Sequence, residues 1–136
     1  MKLRVLLPQE WAKFSEAAHL VVFDERRPTA MERISFALVV ETEEGKPAGY
    51  ATIKELDSET AYFQYGGAFP GTKGTTAALR AYRMIMRFIR DGYRRAGTLI
   101  ENTNTPMLKF AMNEGWVISG LRVYDGKILL EHKIDF

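Results

Sequence analysis

The sequence predicts a mixed α/β (α+β) fold, in which a central sheet of about six to seven strands is flanked by helices. Strand-like and helical patterns follow one another along the 136 residues in the order β-α-βββ-α-β-α-ββ. A helix between two strands implies a crossover that leaves those strands parallel, whereas hairpin turns make neighbouring strands antiparallel. The sheet is therefore expected to be mixed, with helices packed on its faces. The length predicts a single domain over residues 1–136.

The N-terminal segment is predicted to form a strand, a helix and a polar loop. Lys2–Leu7 alternates and is rich in Leu and Val, and Pro8 ends the strand. Gln9–Phe23 carries apolar residues at helical spacing. Asp24–Thr29 is polar. It is either a lid over a substrate site or a solvated connection, which is the commoner role of such a loop.

Three short strands are predicted next, joined by tight turns into an antiparallel meander. They are Ile34–Thr42, Pro47–Lys54 and Ala61–Tyr65. The last of them is expected to be broken at Gly66-Gly67. Paired glycines at a strand end suggest a bulge, or a backbone that another group approaches closely.

A glycine-punctuated loop, Pro70–Ala77, separates this meander from a long helix. The loop contains one lysine and three threonines. A strand that turns through such a loop into a helix leaves N–H groups unpaired at the helix N-terminus, where they and the helix dipole suit a phosphate. A plain strand-to-helix turn is the alternative interpretation.

The helix Ala77–Asp91 has two faces. Apolar residues step by three and four along one face, and arginines do so along the other. The arginine stripe either binds an acidic partner, a ligand phosphate or nucleic acid, or is a solvated helix face, which is the favoured interpretation. No aromatic residues for base stacking are interleaved on it. The stripe consists of Arg80, Arg83, Arg87, Arg90 and Arg94.

The C-terminal third is predicted to form a strand, a short helix and a final hairpin. Asn104 or Thr105 caps the helix, and Gly115 ends it. The two-residue turn Asp125-Gly126 joins the last two strands. The predicted strands are Thr98–Asn102, Trp116–Tyr124 and Lys127–Phe136.

Composition and charge exclude several functions. The chain has no cysteine and two histidines, so thiolate and histidine-rich metal sites are not expected. The N-terminal apolar run is too short for a signal peptide and no segment reaches membrane-spanning length, so a cytoplasmic protein without a membrane partner is predicted. Residues 66–136 contain 11 basic and 6 acidic residues, against 8 and 11 in residues 1–65. An anionic ligand is thus expected in the second half, whereas the overall charge of +2 makes nucleic acid an unlikely partner.

The order of elements and two segments resemble the GNAT superfamily of N-acetyltransferases. The family loop is Gln/Arg-x-x-Gly-x-Gly/Ala, and Gly74 matches its central glycine. Gly71 replaces the usual Gln or Arg, and Thr76 replaces the usual Gly or Ala. The second segment has a strand, an Asn, often a Pro two residues later, and a short helix that ends in Gly-Phe. Asn104, Pro106, Gly115 and Trp116 fall at the matching spacing, with Trp in place of Phe.

This resemblance implies acetyl-coenzyme A as co-substrate. Its pyrophosphate would lie on the N–H groups of Thr72–Ala77, and its pantetheine arm would pair with the strand end at Gly66–Ala68. Asn104 would contact the arm, or would serve only as a helix cap. The cofactor-binding residues implied are Gly66, Ala68, Gly71, Thr72, Lys73, Gly74, Thr75, Thr76 and Asn104.

The resemblance also implies direct attack of an amine on the thioester, which needs a base and stabilisation of an oxyanion. Glu101 is the first candidate base, followed by Glu41 and Tyr65. The family's usual acid is a Tyr on the short helix, and Ala111 stands at that position. The expected function is acetyl transfer to a primary amine on a small molecule or peptide. The alternative is a protein that binds coenzyme A or a protein partner without turnover. The last strands of such folds often reach a partner subunit, so a homodimer is also considered.

Overall fold

The computed structural model describes residues 1–14, 34–69 and 71–136. Most of the helix predicted at Gln9–Phe23, the predicted loop Asp24–Thr29 and Pro70 lie outside these ranges. The described part of the first helix, α1, is 8–14. The other elements are β1 (Lys2–Leu6), β2 (Phe36–Glu41), β3 (Pro47–Asp57), β4 (Thr60–Ala68), α2 (Thr76–Gly92), β5 (Arg95–Glu101), α3 (Thr105–Asn113), β6 (Val117–Tyr124) and β7 (Lys127–Asp135).

The seven strands form one sheet in the order β1-β2-β3-β4-β5-β7-β6. Among the described strands, only β4 and β5 are parallel, and α2 makes the crossover between them. The other described neighbours are antiparallel. The predicted mixed sheet is thereby confirmed.

The prediction that β4 breaks at Gly66-Gly67 is wrong. The strand continues to Ala68, because Gly66 and Gly67 pair with Ala51 and Tyr50 of β3. The bulge lies two residues before Gly66: Thr52 pairs with Tyr65 and Ile53 pairs with Phe63, which leaves one extra residue on β4. That extra residue is Gln64, so the irregularity comes from a register shift rather than from the glycines.

The sheet buries different side chains on its two faces. The α2 face packs Leu38, Ile53 and Ile100 against Ile85 and Ile89 of α2. The α1 face packs a smaller cluster in which Trp11 stacks on Tyr50 at a centroid distance of 5.2 Å. Successive side chains of a strand point to opposite faces, so each sheet residue can be assigned to the α1 face or the α2 face.

The sheet also has two unlike ends. At the end where β4 and β5 begin, the main-chain N–H groups of Arg94 and Arg95 both donate to the carbonyl of Glu59, at 2.9 and 3.1 Å. The N–H of Phe136 donates to the carbonyl of Arg94 at 2.9 Å. We call this the closed end. The opposite end, where β4 and β5 finish and α2 begins, is called the open end.

Candidate functional site

The two parallel strands separate at the open end. Pairing runs from Thr60–Arg95 to Phe63–Thr98 and stops there, although β4 continues to Ala68 and β5 to Glu101. The hydroxyl of Thr98 donates to the carbonyl of Phe63 at 3.0 Å, at the point where the ladder ends. A wedge-shaped gap therefore opens between residues 64–68 of β4 and the end of β5.

The β4 side of this gap offers polar groups. In an antiparallel ladder, alternate residues direct their N–H and C=O groups away from the partner strand. Since β3 pairs with β4 through Ala68, every second residue beyond Phe63 directs these groups into the gap. The side-chain oxygen Oε1 of Gln64 is also buried without a hydrogen-bond partner among the described residues. The strand edge can thus accept another extended chain with amide groups.

The loop that leads into α2 is held by its own threonines. The hydroxyl of Thr72 donates to the carbonyl of Ala48 on β3 at 2.7 Å and to that of Phe69 at 3.1 Å. The N–H groups of Thr72 and Lys73 both donate to the carbonyl of Phe69 at 2.9 Å, and the N–H of Thr75 donates to the carbonyl of Thr72 at 3.0 Å. The expectation that all of Thr72–Ala77 presents free N–H groups is therefore too broad.

Three N–H groups at the start of α2 remain available. Thr75 is the N-cap, and its hydroxyl oxygen accepts from the N–H of Ala78 at 3.4 Å. Within the described part of the chain, no acceptor takes up the N–H groups of Gly74, Thr76 and Ala77. These groups and the positive end of the helix dipole are suited to an anion.

The backbone of this loop requires glycine at one position. Gly74 has a φ of +74°, and nothing lies within 4 Å of the position that a Cβ would take. Gly71 is equally open, and Lys73 and Thr76 are exposed. A ligand can therefore approach the loop without displacing protein atoms, and Lys73 adds positive charge.

Asn104 lies across the gap, at the start of α3. It is the N-cap, and its Oδ1 accepts from the N–H of Met107 at 3.4 Å. This settles which of the two predicted residues caps the helix, because Thr105 is already helical. The amide nitrogen of Asn104 makes no hydrogen bond with the described residues, so the cap role leaves a donor available for a ligand.

Two of the three candidate bases lie on the same face of the sheet, at the open end. Tyr65 pairs with Thr52 of β3 and is 38% exposed on the α1 face. Glu101 follows the buried Ile100, so it also lies on the α1 face, at the end of β5. The two side chains flank the gap at the open end.

Glu41 lies elsewhere. It is on β2, which β3 separates from β4, and its carboxylate accepts from the guanidinium of Arg4 at 2.8 Å. A depression of about 420 Å³ beside Glu41, lined by Met1 and Lys2, is therefore separate from the gap.

The position of the family's usual acid is part of the core. Ala111 is buried beneath α2, and its carbonyl accepts from the N–H of Trp116 at 3.0 Å. The indole of Trp116 donates to the hydroxyl of Tyr82 at 2.7 Å and packs edge-on against Phe63. The Gly-Trp segment thus fixes α3 against α2 and β4, and supplies no acid.

The α1 face also carries a charged pair, Glu131 and Arg122, that was not predicted from the sequence as part of the site. Glu131 of β7 pairs with Leu99 of β5, and its carboxylate accepts from the guanidinium of Arg122 on β6. Burial raises the pKa of the half-buried Tyr62 phenol. The charge of Arg122 opposes this rise, whereas Glu131 and Tyr65 add to it, so all three residues lie near the Tyr62 phenol. Counting outward from the Asp125-Gly126 turn would have placed Arg122 near Glu131.

Other features of the described residues lie outside the gap. Arg80, Arg87 and Arg90 of the stripe are exposed and have no ion-pair partner in the described ranges, whereas Arg83 pairs with Glu114. In the same ranges no three His, Asp or Glu residues are grouped so that they could hold a metal ion. None of the described helices has the length and apolarity needed to cross a membrane.

Comparison with solved structures identifies this architecture. A spermidine N-acetyltransferase chimera from Vibrio cholerae and hSSAT is 13% identical, with a TM-score of 0.77 and coverage of 99% of this chain and 96% of that one. The ribosomal-protein-S18-alanine N-acetyltransferase from Escherichia coli is 13% identical, with a TM-score of 0.74 and coverage of 98% and 92%. The chain has the fold of the GNAT acetyltransferases.

A GNAT family acetyltransferase from Elizabethkingia anophelis with acetyl-CoA bound has the same fold. It is 10% identical, with a TM-score of 0.66 and coverage of 74% of this chain and 76% of that one. No protein-family model matches the sequence, and the search of curated proteins gives no match. The comparison confirms the predicted GNAT fold. Sequence identities of 10–13% to these structures show a shared fold and nothing about the substrate.

Proposed function

We propose that this chain is an acetyl-coenzyme A-dependent N-acetyltransferase that acts on a primary amine. The observation that carries the proposal is the gap between β4 and β5 next to the three available N–H groups of Gly74, Thr76 and Ala77. A phosphate fits such N–H groups, and an arm with amide groups fits an open strand edge. Acetyl-coenzyme A contains both.

Different residues around the gap would bind different parts of acetyl-coenzyme A. Gly74 and Thr76 would hold the pyrophosphate through their N–H groups, with charge from Lys73. The strand edge at Gly66–Ala68 would pair with the pantetheine arm, and the amide of Asn104 would donate to it. Gly71, Thr72 and Thr75 shape the loop, and the Thr72 hydroxyl fixes it to β3.

Bound acetyl-coenzyme A supplies the thioester: the acceptor nitrogen bonds to the acetyl carbon, the carbon–sulfur bond breaks, and coenzyme A leaves as the thiol. Glu101 is the proposed base, because it stands at the mouth of the gap on the α1 face. Tyr65 flanks the same opening and orients the acceptor. Glu41 is the least favoured candidate, because it lies on β2, which β3 separates from the gap.

The alternative is a protein that binds coenzyme A or a protein partner without turnover. One observation favours it: the position of the usual acid is the buried Ala111. Release of free thiol in the presence of acetyl-coenzyme A and a panel of amines distinguishes the two. Release that Glu101→Gln abolishes supports the enzyme with Glu101 as base, whereas binding without release with any amine supports the alternative.

Binding is tested with a pair of glycine variants. Gly74→Asp places bulk and negative charge at the proposed phosphate site, so affinity for acetyl-coenzyme A in isothermal titration should fall by about tenfold or more. Gly45→Asp is the control, because Gly45 in the β2–β3 turn has a similar φ of +83° and the same open surroundings. Equal affinities of the two variants would contradict the proposed site.

A further inference from the structure

We propose that Glu131 is an acceptor-binding residue, and that the acceptor carries a second cationic group besides the amine that reacts. This inference rests on the proposed function. The reacting nitrogen must be neutral to attack, so it cannot itself be held as an ammonium ion by a carboxylate. A carboxylate beside the reaction site is therefore suited to a different part of the acceptor, one that stays protonated while the reacting amine is neutral.

The carboxylate of Glu131 is held in one place. Its Oε1 accepts from Nε of Arg122, and its Oε2 lies 2.8 Å from the position that a Cβ on Gly120 would take. The side chain thus lies flat across β6, and only glycine at position 120 leaves room for it there. The main-chain carbonyl of Glu131 accepts from the hydroxyl of Ser119 at 3.3 Å, within the register shift of β6.

This position faces the proposed reaction site. Glu131 pairs with Leu99, and Glu101 pairs with Leu129, so the two glutamates are diagonal neighbours on one face of β5 and β7. Such neighbours are about 7–8 Å apart. Tyr62, half-buried on β4, pairs with Gly97 of β5. Its phenol is close enough to Arg122, Glu131 and Tyr65 for all three to influence its pKa. An acceptor extended along this face would reach from Glu101 to Glu131.

The carboxylate also retains binding capacity. A carboxylate has about four acceptor positions. Within the described part of the chain, Oε2 of Glu131 accepts no hydrogen bond. The side chain is 33% exposed, so a solute can reach it while part of its hydration is already lost. Partial burial strengthens charge pairing relative to a fully solvated ion pair.

The experiment compares 1,4-diaminobutane with 1-aminobutane, which differ by one ammonium group. We expect the diamine to have the lower KM in thiol release, and Glu131→Gln to raise that KM roughly tenfold with little change in kcat. The same variant should leave the KM for 1-aminobutane and the affinity for acetyl-coenzyme A unchanged.

Two further variants make the test specific. Gly120→Ala displaces the carboxylate without removing it, because a Cβ would lie 2.8 Å from Oε2 and 3.1 Å from Cδ of Glu131, atoms at the movable end of that side chain. The Cβ of Glu131, at 3.6 Å, is an ordinary contact, so the KM for the diamine should rise while stability is retained. Asp135→Asn is the matched control: it removes a carboxylate from the same strand and face, but at the closed end, where Asp135 pairs with Arg95 at 3.8 Å.

Direct titration with 1,4-diaminobutane keeps the inference separate from catalysis. Diamine binding that Glu131→Gln abolishes supports the inference even if no thiol is released. Absence of release with every amine of the panel would overturn the proposed enzyme instead. The inference is overturned if the diamine neither binds nor outperforms 1-aminobutane. It is also overturned if Glu131→Gln and Asp135→Asn behave alike.

Discussion

The two ends of the β4–β5 pair are built differently, although the same two strands form both. At the closed end, the main-chain N–H groups of Arg94 and Arg95 donate to the carbonyl of Glu59, which joins β5 to the β3–β4 turn. Ile89 of α2 is buried in the core there and holds the helix against the sheet. At the open end the strands diverge after Phe63 and Thr98, and α2 presents N–H groups that no described residue accepts.

This difference between the two ends indicates that the closed end contributes mainly to stability and the open end mainly to ligand binding. Backbone polar groups that lack a partner cost free energy unless water or a ligand satisfies them, so a fold keeps them only where they are solvated or used. The closed end buries apolar groups and satisfies its backbone, whereas the open end combines available N–H groups at the start of a helix, a strand edge and two carboxylates. Substitutions should therefore affect unfolding at one end and binding at the other.

The largest expected effect is on stability at the closed end. Ile89 is fully buried, so Ile89→Ala should lower the free energy of unfolding by about 2–5 kcal/mol through lost burial and a cavity. Ile128→Ala removes the same atoms at the open end, where the side chain is 39% exposed, and should cost less than about 1 kcal/mol. Urea unfolding of both variants checks this, and equal losses would contradict the comparison.

Much of the closed end could be predicted from the sequence. The helix expected at Ala77–Asp91 is α2 at Thr76–Gly92, because a strong apolar period and an arginine stripe specify both faces. The strand expected at Thr98–Asn102 instead begins at Arg95. Those extra residues are strand only because they pair with β4 and β7, a tertiary effect that local pattern does not contain.

An intermediate effect is expected at Asn104, which has a cap role and a proposed ligand role. Asn104→Ala should cost about 1 kcal/mol of unfolding free energy, because α3 loses its N-cap. Asn104→Ser keeps a capping oxygen but lacks the amide nitrogen, so stability should be retained. Both variants should bind acetyl-coenzyme A more weakly in isothermal titration. Wild-type affinity in Asn104→Ser would show that Asn104 is only a cap.

The open end was predicted only in part. The loop at Gly74 and the Asn104 cap are local signals, and both were found in the sequence. The gap itself was not predicted, because it depends on where the pairing between β4 and β5 ends. The last pair, Phe63 and Thr98, is 35 positions apart in the chain. Glu131 was missed because a charged residue between Leu130 and His132 matches an ordinary alternating strand.

The smallest expected effect is a pH dependence at the closed end. The hydroxyl of Tyr93 donates to Glu55 at 2.9 Å, and burial together with that carboxylate raises the pKa of Tyr93 to about 12. In the unfolded chain the phenol ionises near pH 10. The folded state therefore holds the proton more tightly, and this contribution to stability is complete below pH 10 and is lost as the pH rises towards 12.

Tyr93→Phe should be slightly less stable than wild type at pH 8, and that difference should shrink between pH 10 and 12 in urea unfolding. A difference in unfolding free energy that stays constant over this range would show that Tyr93 has the same pKa in the folded and unfolded states. The side chain would then be solvated at the closed end rather than partly buried.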